Sequence, residues 1–124
     1  MDQSSNDVPR SVLVVEDEPL IRLAAIALVE DEGFSVFEAE NADDAIAILE
    51  AHPEICIVFT DVQMAGSMDG LQLVAFARDR WPPLRFIVVS GDAKPDPSNF
   101  PEGAHFFTKP YDAATIGRTL HSLI

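Results

Sequence analysis

Five short apolar runs, each closed by a polar break, set the rhythm of the chain. The first, SVLVV from Ser11 to Val15, is continuous and halts at Glu16, Asp17 and Glu18. An apolar run without alternation reads as a strand buried on both faces. Pro19 then stands where a first helical turn tolerates it, and the apolar stretch from Leu20 to Val29 ends at Gly33, a good helix stop. The unit recurs with a strand over Ser35 to Ala39 and a helix capped by Asn41, whose first turn carries Asp43 and Asp44 against the positive end of the dipole; that helix ends before Pro53. A third strand covers Ile55 to Thr60, followed by a loop to about Asp69 and a helix from Gly70 to about Trp81, closed by Pro82 and Pro83. RFIVVS (Arg85 to Ser90) and AHFFT (Ala104 to Thr108) are the fourth and fifth strands, and Tyr111 to Leu123 the last helix.

Strands alternating with helices at this spacing imply right-handed crossovers and a parallel sheet covered on both faces, a doubly wound α/β fold. Between Gly91 and Gly103, Pro95, Pro97 and Pro101 leave room for one helical turn at most, so the fourth helix is expected to be shortened or missing. Residues 1–10 are polar and expected to be flexible, and residues 11–124 form one domain.

Composition narrows the function. The chain has 124 residues, 48% of them apolar, as expected of one globular domain. Its 21 acidic and 8 basic side chains give a formal charge of -13, which repels nucleic acid and anionic membranes and favours cations or basic surfaces. Cys56, the one cysteine, lies in an apolar run, so a core thiol and a reduced, cytoplasmic setting are expected. The start MDQSSNDVPR carries no signal-peptide pattern, and no apolar run is long enough to span a membrane, so a soluble, unexported protein with no membrane partner is expected.

The chemistry lies at the strand ends. Glu16 and Asp17 follow the first strand, Asp61 the third, Ser90 closes the fourth and Lys109 follows the fifth. Open parallel sheets bind ligands beyond the carboxyl ends of their strands, where strand order reverses; in the order 2-1-3-4-5 this lies between strands one and three. Glu16, Asp17 and Asp61 would converge there, and three carboxylates in one place call for raised pKa values or a divalent cation. Oxygen ligands with positions left for water and phosphate suit Mg²⁺. An aspartate beside such an ion can attack phosphorus as a nucleophile, which makes Asp61 the candidate phosphoacceptor. The oxygens of the transferring group would meet Mg²⁺, the Lys109 ammonium and the Ser90 hydroxyl.

VLVVEDEP, VFTDVQM followed by MDG, VVSGDA and FFTKP, taken together and in this order, resemble the landmarks of the receiver domain of two-component response regulators. The resemblance spans nearly the whole chain and implies the flavodoxin-like order 2-1-3-4-5. It further implies that Asp61 takes a phosphoryl group from a phosphohistidine, and that Glu16, Asp17, Asp61 and the backbone carbonyl of Gln63 hold Mg²⁺. Ser90 would contact the phosphoryl group and Lys109 would pair with it. The Lys109–Pro110 bond would be cis, and Phe106 would be the switch residue that turns inward. The sequence departs from the family in having Ala65 where proline is usual, a loop through MAGSMDG that is one residue longer, and no hydroxyl on Phe106, so a switch here would work by packing alone.

In the first helix, Ile21, Ala24, Ala25, Leu28 and Val29 follow the spacing of a face turned to the sheet, yet Leu20, Leu23, Ile26 and Ala27 on the remaining surface are also apolar. Surplus apolar surface points to a partner, and receivers of this kind commonly dock there on the helical bundle of a histidine kinase or a histidine phosphotransfer protein. The chain ends after the last helix, which suggests a stand-alone receiver with an unknown protein target as its output. The alternatives are a receiver-like binding module that works without phosphorylation, a phosphatase of the haloacid dehalogenase type, and a flavin-binding domain. Gln63 stands where the phosphatase needs a second aspartate, and the acids of EDEP would repel a flavin phosphate.

Overall fold

A computed structural model describes residues 10–91 and 103–124. In chain order the elements are β1 (Ser11–Val15), α1 (Pro19–Asp31), β2 (Ser35–Ala39), α2 (Ala42–Ala51), β3 (Ile55–Asp61), α3 (Gly70–Arg80), β4 (Arg85–Ser90), β5 (Ala104–Thr108) and α4 (Ala113–Ser122). The strands form one parallel sheet, as the alternating pattern implies, in the order β2-β1-β3-β4-β5 that the resemblance implies. The expected flexible N-terminal segment, up to Pro9, and the shortened fourth helix lie outside the described residues.

Each face of the sheet feeds its own core. Leu13, Val15, Val58, Phe86 and Val88 point to one side, with Leu49 of α2 and Leu73, Val74 and Ala77 of α3. Val12, Val14, Ile57, Phe59, Ile87 and Val89 point to the other, with Ala25 and Val29 of α1 and Ile116 and Leu120 of α4. β1 is buried along its whole length, which is why its sequence runs apolar without alternation, whereas β2 and β5 are edge strands with exposed positions. The pairing of β1 with β3 shifts register between Ser11 and Val12, opposite Cys56. The Cys56 thiol is half-buried rather than a full core group and donates to the Ser11 carbonyl at 3.5 Å.

Local signals set the ends of the elements. Glu18 caps α1 by accepting from the Leu20 N–H at 3.1 Å, and Asn41 caps α2 by accepting from Asp44 at 2.8 Å. Gly33, with φ 94°, takes the left-handed turn after α1. Asp69 and Gln72 form a reciprocal capping box at the start of α3. The last helix starts two residues later than the sequence suggests, because Asp112 caps it by accepting from the Thr115 N–H.

The buried face of α1 follows the periodic reading in part. Ala25 and Val29 are buried and Leu28 packs on the core as the spacing implies, but Ile26 packs inward as well, and Ala24 is exposed. Ile21, though 41% exposed, lines with Ala25 a cleft against Asp61 and Lys109, and the half-buried Arg22 beside it reaches toward β2. Its guanidinium donates to the Glu16 carbonyl at 2.8 Å and to Glu38 on β2 at 2.9 Å.

Candidate functional site

At the carboxyl edge of the sheet, the ends of β1 and β3 lie side by side, with β4 and β5 following. Glu16 comes directly after β1, its N–H bonded to the Ala39 carbonyl at 3.0 Å, and Asp61 is the last residue of β3, which runs one position further than its apolar pattern. Both are only 5% exposed. Beyond Asp61 the Val62 N–H donates to Val89 of β4 at 2.9 Å, and beyond β5 the Lys109 N–H donates to the Ser90 carbonyl at 2.7 Å. The backbone of all four segments is thereby held at the point where their side chains meet.

The Lys109 ammonium pairs with Asp61 Oδ2 and stands 3.8 Å from Glu16 Oε1. The other oxygens are engaged as well. Asp61 Oδ1 accepts from the Gln63 N–H at 3.0 Å, and Glu16 Oε2 accepts from the Glu18 N–H at 3.0 Å. Asp17 is exposed, and its Oδ2 accepts from the Ala65 N–H at 3.1 Å, which ties the loop after Asp61 to the end of β1. The Ser90 hydroxyl donates to Gln63 Oε1 at 3.2 Å.

The charges bear on one another. Burial raises the Glu16 carboxyl to about 7; the Glu18 N–H opposes this, and the neighbouring Asp61 and Asp17 add to it. Burial disfavours the charged form of Lys109, but Asp61 and Glu16 outweigh it and hold the ammonium above its usual range. Tyr111, packed edge-on against Phe59 with ring centres 5.9 Å apart, is also pushed up, chiefly by burial.

The structure thus gathers Glu16, Asp61 and Lys109 into direct contact and joins Ser90 to the loop through Gln63. Asp17 stands at the rim, and among the described residues no group of three or more His, Cys, Asp or Glu side chains is arranged to hold a metal ion. Two of the three acids already share a lysine. The Lys109–Pro110 peptide is cis, Pro110 is exposed, and Phe106 is half-buried against the core on the α2 and α3 side. On α1, Leu20 and Leu23 are 75% and 60% exposed and Ala27 is exposed, whereas Ile26 turns inward.

Two residues of the site escape a reading of the sequence alone. Arg22 reaches the Glu16 carbonyl, and its only signal is that it is the one charged residue between Leu20 and Val29. Gly70 leans directly on the carbonyl of Asp61, and its N–H donates to Val62 at 2.8 Å. A glycine next to the cap residue Asp69 is the corresponding hint.

A doubly wound sheet with a buried aspartate and a lysine at its carboxyl edge defines the class of protein, and comparison with known proteins places it further. The profile of the response regulator receiver domain matches residues 12–120. The sensor kinase CckA of Brucella abortus is 33% identical over 118 residues, which is 92% of this chain and 12% of that protein. The nitrogen assimilation regulatory protein NtrX of Azorhizobium caulinodans is 33% identical over 107 residues, 82% of this chain and 23% of that protein. The chain therefore spans no more than about a quarter of these relatives' length. Among solved structures, a response regulator receiver protein from Sinorhizobium medicae superposes with a TM-score of 0.86 at 26% identity, covering 94% of each chain. The response regulator TrrA of Thermotoga maritima, solved in complex with Mg²⁺-BeF, shares the fold with a TM-score of 0.81 at 22% identity, over 93% of this chain and 99% of that one. The chain belongs to the response regulator receiver domain family. Among the described residues, no helix is long and apolar enough to cross a membrane.

Proposed function

We propose that Asp61 is the phosphoacceptor of a cytoplasmic signalling domain and takes its phosphoryl group from a phosphohistidine on a histidine kinase or a histidine phosphotransfer protein. The observation that carries this reading is the Asp61 carboxylate, buried at the end of β3 with the Lys109 ammonium on one oxygen and Glu16 beside it. One carboxylate oxygen attacks phosphorus, the phosphorus–nitrogen bond breaks, and the bonding pair returns to the imidazole, which takes up a proton. Lys109, already charged and aimed at Asp61, neutralises the oxygens of the incoming group, and Ser90 donates its hydroxyl to one of them.

The donor set suits a hard divalent cation. Glu16, raised to about 7 by burial and by Asp61, carries a charge conflict that one lysine leaves unresolved. Glu16, Asp17, Asp61 and the Gln63 carbonyl would hold Mg²⁺, the ion bound by the Thermotoga neighbour. When bound, it supplies positive charge that offsets the acids and the phosphoryl oxygens.

The output passes through packing. Phe106, half-buried and without a hydroxyl, changes its seat when Ser90 moves, and Pro110, next to Lys109, belongs to the same switch. The donor protein docks on the exposed stripe of α1 formed by Leu20, Leu23 and Ala27, and Ile26 supports that stripe from beneath. The phosphorylated domain then acts through contacts with a protein target.

Intact mass after incubation with acetyl phosphate and Mg²⁺ tests the reading. A gain of one phosphoryl group is expected, absent in Asp61→Asn and in the presence of EDTA. No gain, combined with no Mg²⁺ binding, would make the chain a receiver-like module that works without phosphorylation.

A further inference from the structure

Ser90 is buried at the last position of β4, with its carbonyl bonded to the Lys109 N–H at 2.7 Å and its backbone in register with Thr108 of β5. The main chain is thus fixed, and the freedom that remains is rotation of the side chain. A serine hydroxyl has one proton to donate. In this structure that proton goes to Gln63 Oε1, at 3.2 Å. The same Gln63 donates its backbone N–H to Asp61 Oδ1 at 3.0 Å, so one loop residue grips the acid with its main chain and the hydroxyl with its side chain.

We propose that the Gln63 side chain is a latch: a positioning residue that holds the Ser90 hydroxyl in the unphosphorylated state and competes with the phosphoryl group for its single proton. The inference rests on Asp61 being the phosphoacceptor and Ser90 the phosphoryl contact. A phosphoryl oxygen is a charged acceptor and binds a hydroxyl more strongly than an amide oxygen does, so it wins the proton. It wins by less than it would against an empty site, because the bond to Gln63 must break first. The Gln63 side chain is exposed, whereas Ser90 is buried, so the latch can release without disturbing the core.

The test is titration with beryllofluoride in Mg²⁺, which takes the place of the phosphoryl group, on wild type, Gln63→Leu, Gln63→Glu, Ser90→Ala and the double variant of Gln63→Leu with Ser90→Ala. Gln63→Leu keeps the backbone N–H and carbonyl and removes the acceptor; it should tighten half-saturation about fivefold, the worth of one hydrogen bond. Gln63→Glu offers a charged acceptor to the same proton and should weaken it. In the Ser90→Ala background, Gln63→Leu should change nothing, because no hydroxyl is left to hold. An equal gain from Gln63→Leu with and without Ser90 would overturn the latch and assign Gln63 a direct effect on the anion. Unchanged binding in Gln63→Leu would overturn it as well. If wild type itself neither binds beryllofluoride nor is labelled by acetyl phosphate, the phosphoacceptor reading fails and the latch falls with it.

Discussion

A single methyl group added at Gly70 should disable the acid pocket from behind. The Cβ of Gly70→Ala would lie 2.0 Å from the Asp61 carbonyl oxygen, 2.8 Å from its carbonyl carbon and 2.9 Å from the Val62 Cα, where ordinary contact begins at 3.4 Å. All three atoms are backbone, so none can rotate away. The start of α3 and the end of β3 must therefore part by about 1.4 Å, the shortfall at the oxygen, against the Gly70–Val62 hydrogen bond that joins them at 2.8 Å. Overpacking of this kind costs about 1–3 kcal/mol, which a folded domain with two intact cores should survive. The chemistry should suffer more, because a misplacement of about 1 Å in a reacting group costs on the order of a hundredfold in rate. The assay pairs urea denaturation with the initial rate of acetyl phosphate labelling, followed by intact mass. The expected result is a folded protein, weakened within that range, that is labelled roughly ten to a hundred times more slowly. Labelling at the wild-type rate with stability lowered by less than about 0.5 kcal/mol would refute the argument, since the contact would then have yielded without moving Asp61.

Two further predictions address charge and docking. The Glu16 carboxyl is raised on folding from an ordinary 4.5 to about 7, so its favourable contribution is complete below about 4.5 and is lost as pH rises through about 7. In EDTA, Glu16→Gln should therefore be more stable than wild type above that range, by up to about 3 kcal/mol, with the difference closing toward acid pH; urea denaturation across pH checks it, and a gap that widened toward acid pH would reverse the assignment. Replacing the exposed Leu20 and Leu23 together with glutamate should slow transfer from a phosphohistidine donor protein by roughly tenfold or more and leave labelling by acetyl phosphate unchanged, and equal rates from the donor protein would exclude α1 as the docking face.

The central strands β1, β3 and β4 are legible in the sequence because each is an apolar run stopped by acid or glycine, and the end of β3 moves by one residue only because Asp61 stays paired with Val89 of β4. A parallel doubly wound sheet puts the residues after its strands along one edge, and the strand order implied by the resemblance then groups Glu16, Asp61 and Lys109. The face of α1 is legible only in part. In a helix apolar almost all round, the spacing finds Ala25, Leu28 and Val29 but not that Ile26 also packs inward, nor that Arg22 reaches a backbone carbonyl and a side chain on another strand. The contacts of Gly70 with Asp61 and of Gln63 with Ser90 are hidden for a similar reason. Both depend on how the loop from Val62 to Asp69 folds back, through bonds from Ala65 to Asp17 and from Ser67 to Asp43, and neither bond follows from hydrophobic periodicity.

The pocket draws on residue 16, which follows β1, and residue 109, which follows β5, two strands with β3 and β4 between them in the sheet. A chain emerging from the ribosome carries its acids long before their lysine, and until β5 docks the Glu16 and Asp61 carboxylates have no ammonium between them. Acquisition of a phosphate label should therefore serve as a stopwatch for folding, starting only when the last strand is in place. The same geometry makes the domain a candidate for division into two pieces whose reunion would be reported by the return of the label.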